Sequence, residues 1–141
     1  MRIIQKKINQ FEYKYIRNIL WGILPTVESV DTAELDNGKA HLEVTKRGVD
    51  FFKENKDIFL YGRLAGIPEY SCDTIDMKWT ARDEAKNTFD YIRTIQSVCV
   101  TQWEAKDKEK LIFAYNFSDD TKTVKMSDKQ FEVAAHSFVK I

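Results

Sequence analysis

Few residues in this chain have the types and spacing that chemistry requires. His41 and His136 are its two imidazoles, and Cys72 and Cys99 its two thiols. The cysteines have neither CxxC spacing nor a histidine close enough in sequence for a zinc site, so they read as free, partly buried thiols, with a disulfide as the alternative. No Cys, Asp or Glu stands at ligand spacing around either histidine, so neither a metal nor a cofactor is expected. Ser137, His136 and Asp128 supply the side chains of a nucleophilic triad. However, no GxSxG elbow supports it, and neighbours on a strand point to opposite faces. The glycines of YGRLAG lack the pattern of a phosphate cradle. NFSDDTK lacks the alternating acids and terminal glutamate of a calcium loop and reads as a hairpin turn. Paired-carboxylate catalysis needs two acids about 5–9 Å apart across a cleft. The acids here (Glu54 and Asp57, Asp83 and Glu84, Asp107 and Glu109, Asp119 and Asp120) fall at helix ends and turns. No catalytic residue is assigned.

Aromatic side chains offer the other route to function. Trp21, Trp79 and Trp103, with Tyr61, Tyr70, Tyr91 and Tyr115, include rings whose flat apolar faces could stack on a pyranose while polar neighbours take its hydroxyls. The expected carbohydrate platform is an exposed pair, Trp79 and Trp103, beside Gln102 and Asn116. Phe113, Tyr115 and Phe117 are read as core instead.

These residues hang on elements of two different periods. Ile4, Ile8, Phe11, Tyr15 and Ile19 follow at helical steps, predicting a helix from Arg2 to Leu20 that Gly22 and Pro25 end. Residues 26–37 read as a polar connection with a turn signal in Asp36, Asn37 and Gly38. A second helix is expected over Lys39 to Glu54, with Leu42, Val49 and Phe52 on one side and Val44 and Phe51 widening the stripe. Gly48 weakens that helix by about 1 kcal/mol against alanine. From Asp76 onward DMKWTAR, RTIQSVCVTQWEA, KLIFAYNF, TKTVKM and FEVAAHSFVKI are short runs separated by charged turns. KLIFAYNF has the apolar character of an inner strand. Helices followed by strands without a βαβ rhythm predict an α+β fold, with N-terminal helices and a C-terminal antiparallel β-sandwich or meander. FLYGRLAGIPEY joins the two: Phe59, Leu60 and Leu64 are expected to continue the helical core, Gly62 and Gly66 to turn the chain, and Pro68 to stop further helix. Arg63 is expected in a surface ion pair.

In that order the pieces resemble a known protein type. VDFFKENKDIFLYGRLAGIPEY resembles the last helix and exit of the catalytic barrel in α-galactosidase-like glycoside hydrolases, and ILWGILPTVES resembles the Gly-Pro loop before that helix. SVCVTQWEAKDKEKLIFAYNFSDDTKTVKM and the closing FEVAAHSFVKI resemble the antiparallel β-domain that follows such barrels. The resemblance implies residues 1–70 as the end of a barrel and 71–141 as an accessory β-domain. A full barrel takes about 250 residues, so the strands that carry its catalytic acids have no counterpart here and none is carried over. The chain is therefore expected to be no enzyme by itself, but a structural accessory domain or fragment, with an independent carbohydrate-binding module as the alternative.

The totals agree with a folded domain and narrow its partners. Among 141 residues, 22 Lys plus Arg balance 22 Asp plus Glu, which removes the electrostatic argument for nucleic acid or an anionic membrane. Apolar residues at 43% and charged residues at 31% are globular values. No stretch approaches the roughly 18 apolar residues of a membrane span, and the N-terminus has no apolar h-region, so no export signal is expected. A homodimer or a missing barrel is the expected cover for apolar helix surface.

Overall fold

The computed structural model describes residues 2–25 and 36–141. It is α+β: helices α1 (Arg2–Leu20), α2 (Asp36–Glu54) and α3 (Lys56–Tyr61) precede strands β1 (Arg63–Gly66), β2 (Thr74–Arg82), β3 (Thr88–Gln96), β4 (Val98–Glu104), β5 (Lys110–Asn116), β6 (Lys122–Lys125), β7 (Gln130–Val133) and β8 (Phe138–Lys140). A central antiparallel sheet runs β1-β4-β5-β8, and β2-β3 and β6-β7 form separate two-stranded hairpins.

Period-two alternation sets up three layers. On β4 and β5, Cys99, Trp103, Phe113 and Tyr115, together with Phe117 just beyond β5, belong to the core shared with the helices and the inner face of β2-β3. Val98, Val100, Ile112 and Ala114 belong to a second core under β6-β7, with Val124 and Val133. KLIFAYN is thus an inner strand with a core on each side, as its composition predicts.

The helices meet the sheet differently from the simple stripe. Glu12, Tyr13, Ile16 and Leu20 of α1 are buried with Ile19, whereas Phe11 and Tyr15 are only half-buried. Tyr15 and Ile19 turn toward α2, where a Cβ on Gly48 would overlap Ile19 Cδ1 and lie 2.9 Å from Tyr15 Cε1. Gly48 therefore leaves room for Ile19 and Tyr15 of α1, which accounts for a poor helix former mid-helix. Leu42, expected on the core side of α2, is exposed. The Asp36-Asn37-Gly38 turn signal instead opens α2, consistent with the preference of Asp and Asn for helix starts. The rest of the expected polar connection, residues 26–35, lies outside the described residues.

The end of α1 is closed by a Schellman arrangement. Gly22 has φ 80°, its N–H bonds Ile19 O at 2.9 Å, and Ile23 N–H bonds Asn18 O at 2.9 Å. A Cβ on Gly22 would also lie 2.6 Å from the Trp103 ring. Leu20 O, left over at this helix end, accepts from both Thr101 Oγ1 and Trp103 Nε1 at 3.0 Å. The helical layer is thereby pinned to β4.

FLYGRLAGIPEY is more than a junction. Its centre forms β1, an edge strand that sets Leu64 opposite Trp103 and Arg63 opposite Glu104. Arg63 pairs with Glu104 at 3.2 Å, the expected surface ion pair. Phe59 is buried against Phe51, Phe52, Trp103 and Phe113, but Leu60, expected to continue that core, faces solvent. Two of the runs expected from sequence are each divided. RTIQSVCVTQWEA breaks at buried Ser97 into β3 and β4, and FEVAAHSFVKI breaks into β7 and β8 at a turn where His136 takes φ 49°.

Candidate functional site

The side chains expected to make a carbohydrate platform do not converge. Trp103 is 4% exposed, edge-on to Phe59 at 5.2 Å, and its indole N–H is used by Leu20 O. Trp79 is 7% exposed, edge-on to Tyr13 at 5.7 Å, with Lys14 and Arg93 over its ring. Both rings face the helices, so the expected exposed pair is corrected to two core residues. Gln102 and Asn116 share the opposite face of the sheet from Trp103, by alternation along β4 and pairing with β5. Asn116 is fully buried and structural: its amide donates to Asp120 O at 2.7 Å and Val133 O at 2.9 Å, while its Oδ1 accepts from Ser118. NFSDDTK is accordingly a tied turn.

The densest polar constellation lies elsewhere, between α1, α2 and the turn before β8. Glu12, 4% exposed, accepts a short hydrogen bond from Tyr115 Oη through its Oε1. The same oxygen lies 2.8 Å from His136 Nδ1 and 3.7 Å from Arg47 Nη1. Arg47 also donates to Tyr115 Oη at 2.8 Å. His136 Nε2 reaches Asp119 Oδ1 at 2.7 Å, placing the imidazole between two carboxylates. The left-handed backbone at His136 aims the ring inward, and Ser137 turns away to bond Ala135 O at 2.9 Å. Ser137 and His136 form no triad.

Electrostatics define what this cluster can do. The hydrogen bond that His136 donates to Glu12 raises the His136 pKa to about 9, burial opposes it, and Asp119 adds to it. An imidazole that keeps its proton across the neutral range donates from both nitrogens and is a poor general base. Burial first, then the Glu12 charge, pushes the Tyr115 phenol well above its ordinary range. Glu12 itself is sealed beneath the other members. The arrangement clamps two helices to the sheet, and sequence spacing gave no signal for it because its members are separated by 124 residues at the extreme, from Glu12 to His136.

Arg47 also borders an open groove of about 380 Å³ between α2 and β8, lined further by Asp50, Glu54, Lys140 and Phe138. Phe138 is stacked on buried Phe51 at 4.0 Å. The groove is lined by charges of both signs and by aromatic residues. The two cysteines are free, and burial pushes the Cys99 thiol up to about 12, so it is unionised at neutral pH. His41 stacks on Phe11 at 4.3 Å. Among the described residues, no three His, Cys, Asp or Glu side chains are grouped to hold a metal ion, and no helix is long and apolar enough to cross a membrane.

Comparison with known proteins returned no matching family model, no matching curated protein and no matching solved structure.

Proposed function

We propose that this chain is a non-catalytic, mainly structural accessory β-domain, carried on the closing helices of a glycoside hydrolase-like protein. The observation that carries this reading is the Glu12–Arg47–Tyr115–His136 cluster: the ionisable groups best placed for chemistry are spent on holding helices to sheet. Apolar side chains give further support. Trp21, Ile23 and Leu24 after α1, and Leu60 and Tyr61 at the end of α3, are exposed. These segments adjoin Gly22 and Phe59, which both pack on Trp103. Such a surface suits burial against the rest of a barrel.

The test has two arms. The purified chain is expected to leave a broad panel of chromogenic glycosides unhydrolysed, and turnover abolished by one carboxylate substitution overturns the reading. The chain is also expected to bind a hydrophobic dye, and Leu24→Asp with Leu60→Asp to reduce that binding. Unchanged dye binding in the double variant removes the proposed barrel-facing surface.

A second reading, carbohydrate binding, is favoured by the α2–β8 groove and not by the tryptophans. Phe138 would supply a ring face, and Arg47, Asp50, Glu54 and Lys140 would take hydroxyls. Calorimetric titration with a sugar panel decides it, with saturable heat that Glu54→Ala removes supporting the groove and no heat ending this reading.

A further inference from the structure

We infer that the free edge of β3 is a self-pairing surface that takes β3 of a second copy of this chain, antiparallel and centred on Ile92. The inference stands apart from the accessory-domain reading, because it uses a different face of the molecule.

β3 pairs with β2 along nine consecutive residues without a register shift, from Thr74 opposite Gln96 to Arg82 opposite Thr88. Among the described residues no strand pairs with its other edge. Folded proteins usually blunt such an edge with lysine, proline, a bulge or a very short strand. TFDYIRTIQ has none of these; its charges are Asp90 and Arg93, the latter directed inward over the Tyr13 and Trp79 rings, and Ile95 is its single buried residue. Phe89, Tyr91 and Ile92 are exposed, Ile92 at 64%.

The phase of the free edge follows from the opposite side of the hairpin. Gln10 closes part of the β2 edge: its Nε2 donates to Thr80 O at 3.1 Å, and its Oε1 accepts from Thr80 N–H at 3.0 Å. Thr80 therefore directs its backbone groups away from β3, making Thr80 and Asp90 a non-hydrogen-bonded pair. By the same alternation the N–H and C=O groups of Asp90, Ile92 and Thr94 point outward, away from β2. Those of Phe89, Tyr91 and Arg93 are directed toward β2.

This strand is complementary to itself in one register. With Ile92 opposite Ile92 of the second copy, the outward backbone groups meet as hydrogen-bonded pairs and the whole strand overlaps. Tyr91 then lies beside the second copy's Arg93, a ring beside a guanidinium. Asp90 faces Thr94, and Phe89 lies beside Ile95. The two Ile92 side chains, projecting on the solvent side, cover one another. Centring on Asp90 or on Arg93 sets like charges opposite, and centring on Tyr91 sets Asp90 against Ile92. Two copies related by a twofold axis make a closed, isologous contact that does not propagate along this edge.

Sedimentation velocity on the full chain over a micromolar concentration series tests the proposal. The expected result is a reversible monomer–dimer equilibrium. Ile92→Lys, which sets two ammonium groups at the twofold axis, should weaken it about tenfold or more, with Ile92→Val as the control that retains it. Residue-resolved hydrogen exchange on the unaltered chain supplies a readout that needs no variant. The amides of Ile92 and Thr94 should gain protection as concentration rises, while those of Tyr91 and Arg93 stay protected throughout. A monomer at every concentration, a dimer indifferent to Ile92→Lys, or outward amides whose exchange does not change with concentration overturns the proposal. Leu60→Asp should leave the dimer intact, which separates this contact from the barrel-facing surface.

Discussion

β5 and β3 are both rich in aromatic and branched residues, KLIFAYN against TFDYIRTIQ, yet one is almost wholly buried and the other almost wholly exposed. β5 has β4 on one side, β8 on the other, the helices above and the β6-β7 hairpin below. Among the described residues β3 has β2 on one side only. Strand propensity describes fit to a pleated surface, and what covers that surface is decided by neighbours. The same residue type therefore carries very different energetic weight in the two strands.

Substitutions sharpen that contrast. Phe113→Ala should cost about 3–5 kcal/mol in denaturant unfolding, because the ring sits fully buried between Phe51 and Phe59 and its loss leaves a cavity. Unfolding unchanged within about 1 kcal/mol would mean that the helices are not seated on β5. Glu12→Gln should cost about 2–3 kcal/mol, since it removes the charge that Arg47 and His136 face. NMR titration should then find the His136 pKa fallen from about 9 toward 6.5. If that pKa stays high, Asp119 and not Glu12 holds the proton.

Alkaline pH gives a smaller effect of fixed sign. The His136 pKa is raised on folding, from 6.5 to about 9, so its stabilisation is complete below about pH 6.5 and lost as pH climbs through 9. Partial exposure of the ring limits the loss to about 1–2 kcal/mol. Denaturant midpoints measured from pH 6 to 10 should fall over this window, and the decline should vanish in His136→Gln. The smallest change is expected in the other strand. Tyr91→Thr should shift monomer stability by no more than about 0.5 kcal/mol at dilute concentration, since the side chain is exposed and threonine suits a strand. A larger loss would show that β3 is covered in the monomer.

Much of the architecture was legible in the chain. The 3.6-residue period of RIIQKKINQFEYKYIRNIL placed α1 with its bounds, the apolar density of KLIFAYNF placed an inner strand, and NFSDD gave its turn. The candidate sites were not legible. Trp79 and Trp103 looked available because polar residues flank them, but alternation turns those neighbours to the other face and leaves the rings against α1 and α3. Glu12 looked like one more solvated helix acid, and His136 like a strand residue.

By itself the sequence determined periodicity, and with it which segments are helix or strand and which of their faces are apolar, because those depend on residues a few positions apart. Which apolar face is covered, and which polar groups become partners, was decided only by the tertiary structure. Glu12 and His136 meet because α1 and the turn before β8 pack at the same end of β5, beside Tyr115, a relation that no local spacing encodes. The open edge of β3 has the same origin: nothing in TFDYIRTIQ states that, among the described residues, a strand flanks it on one side only.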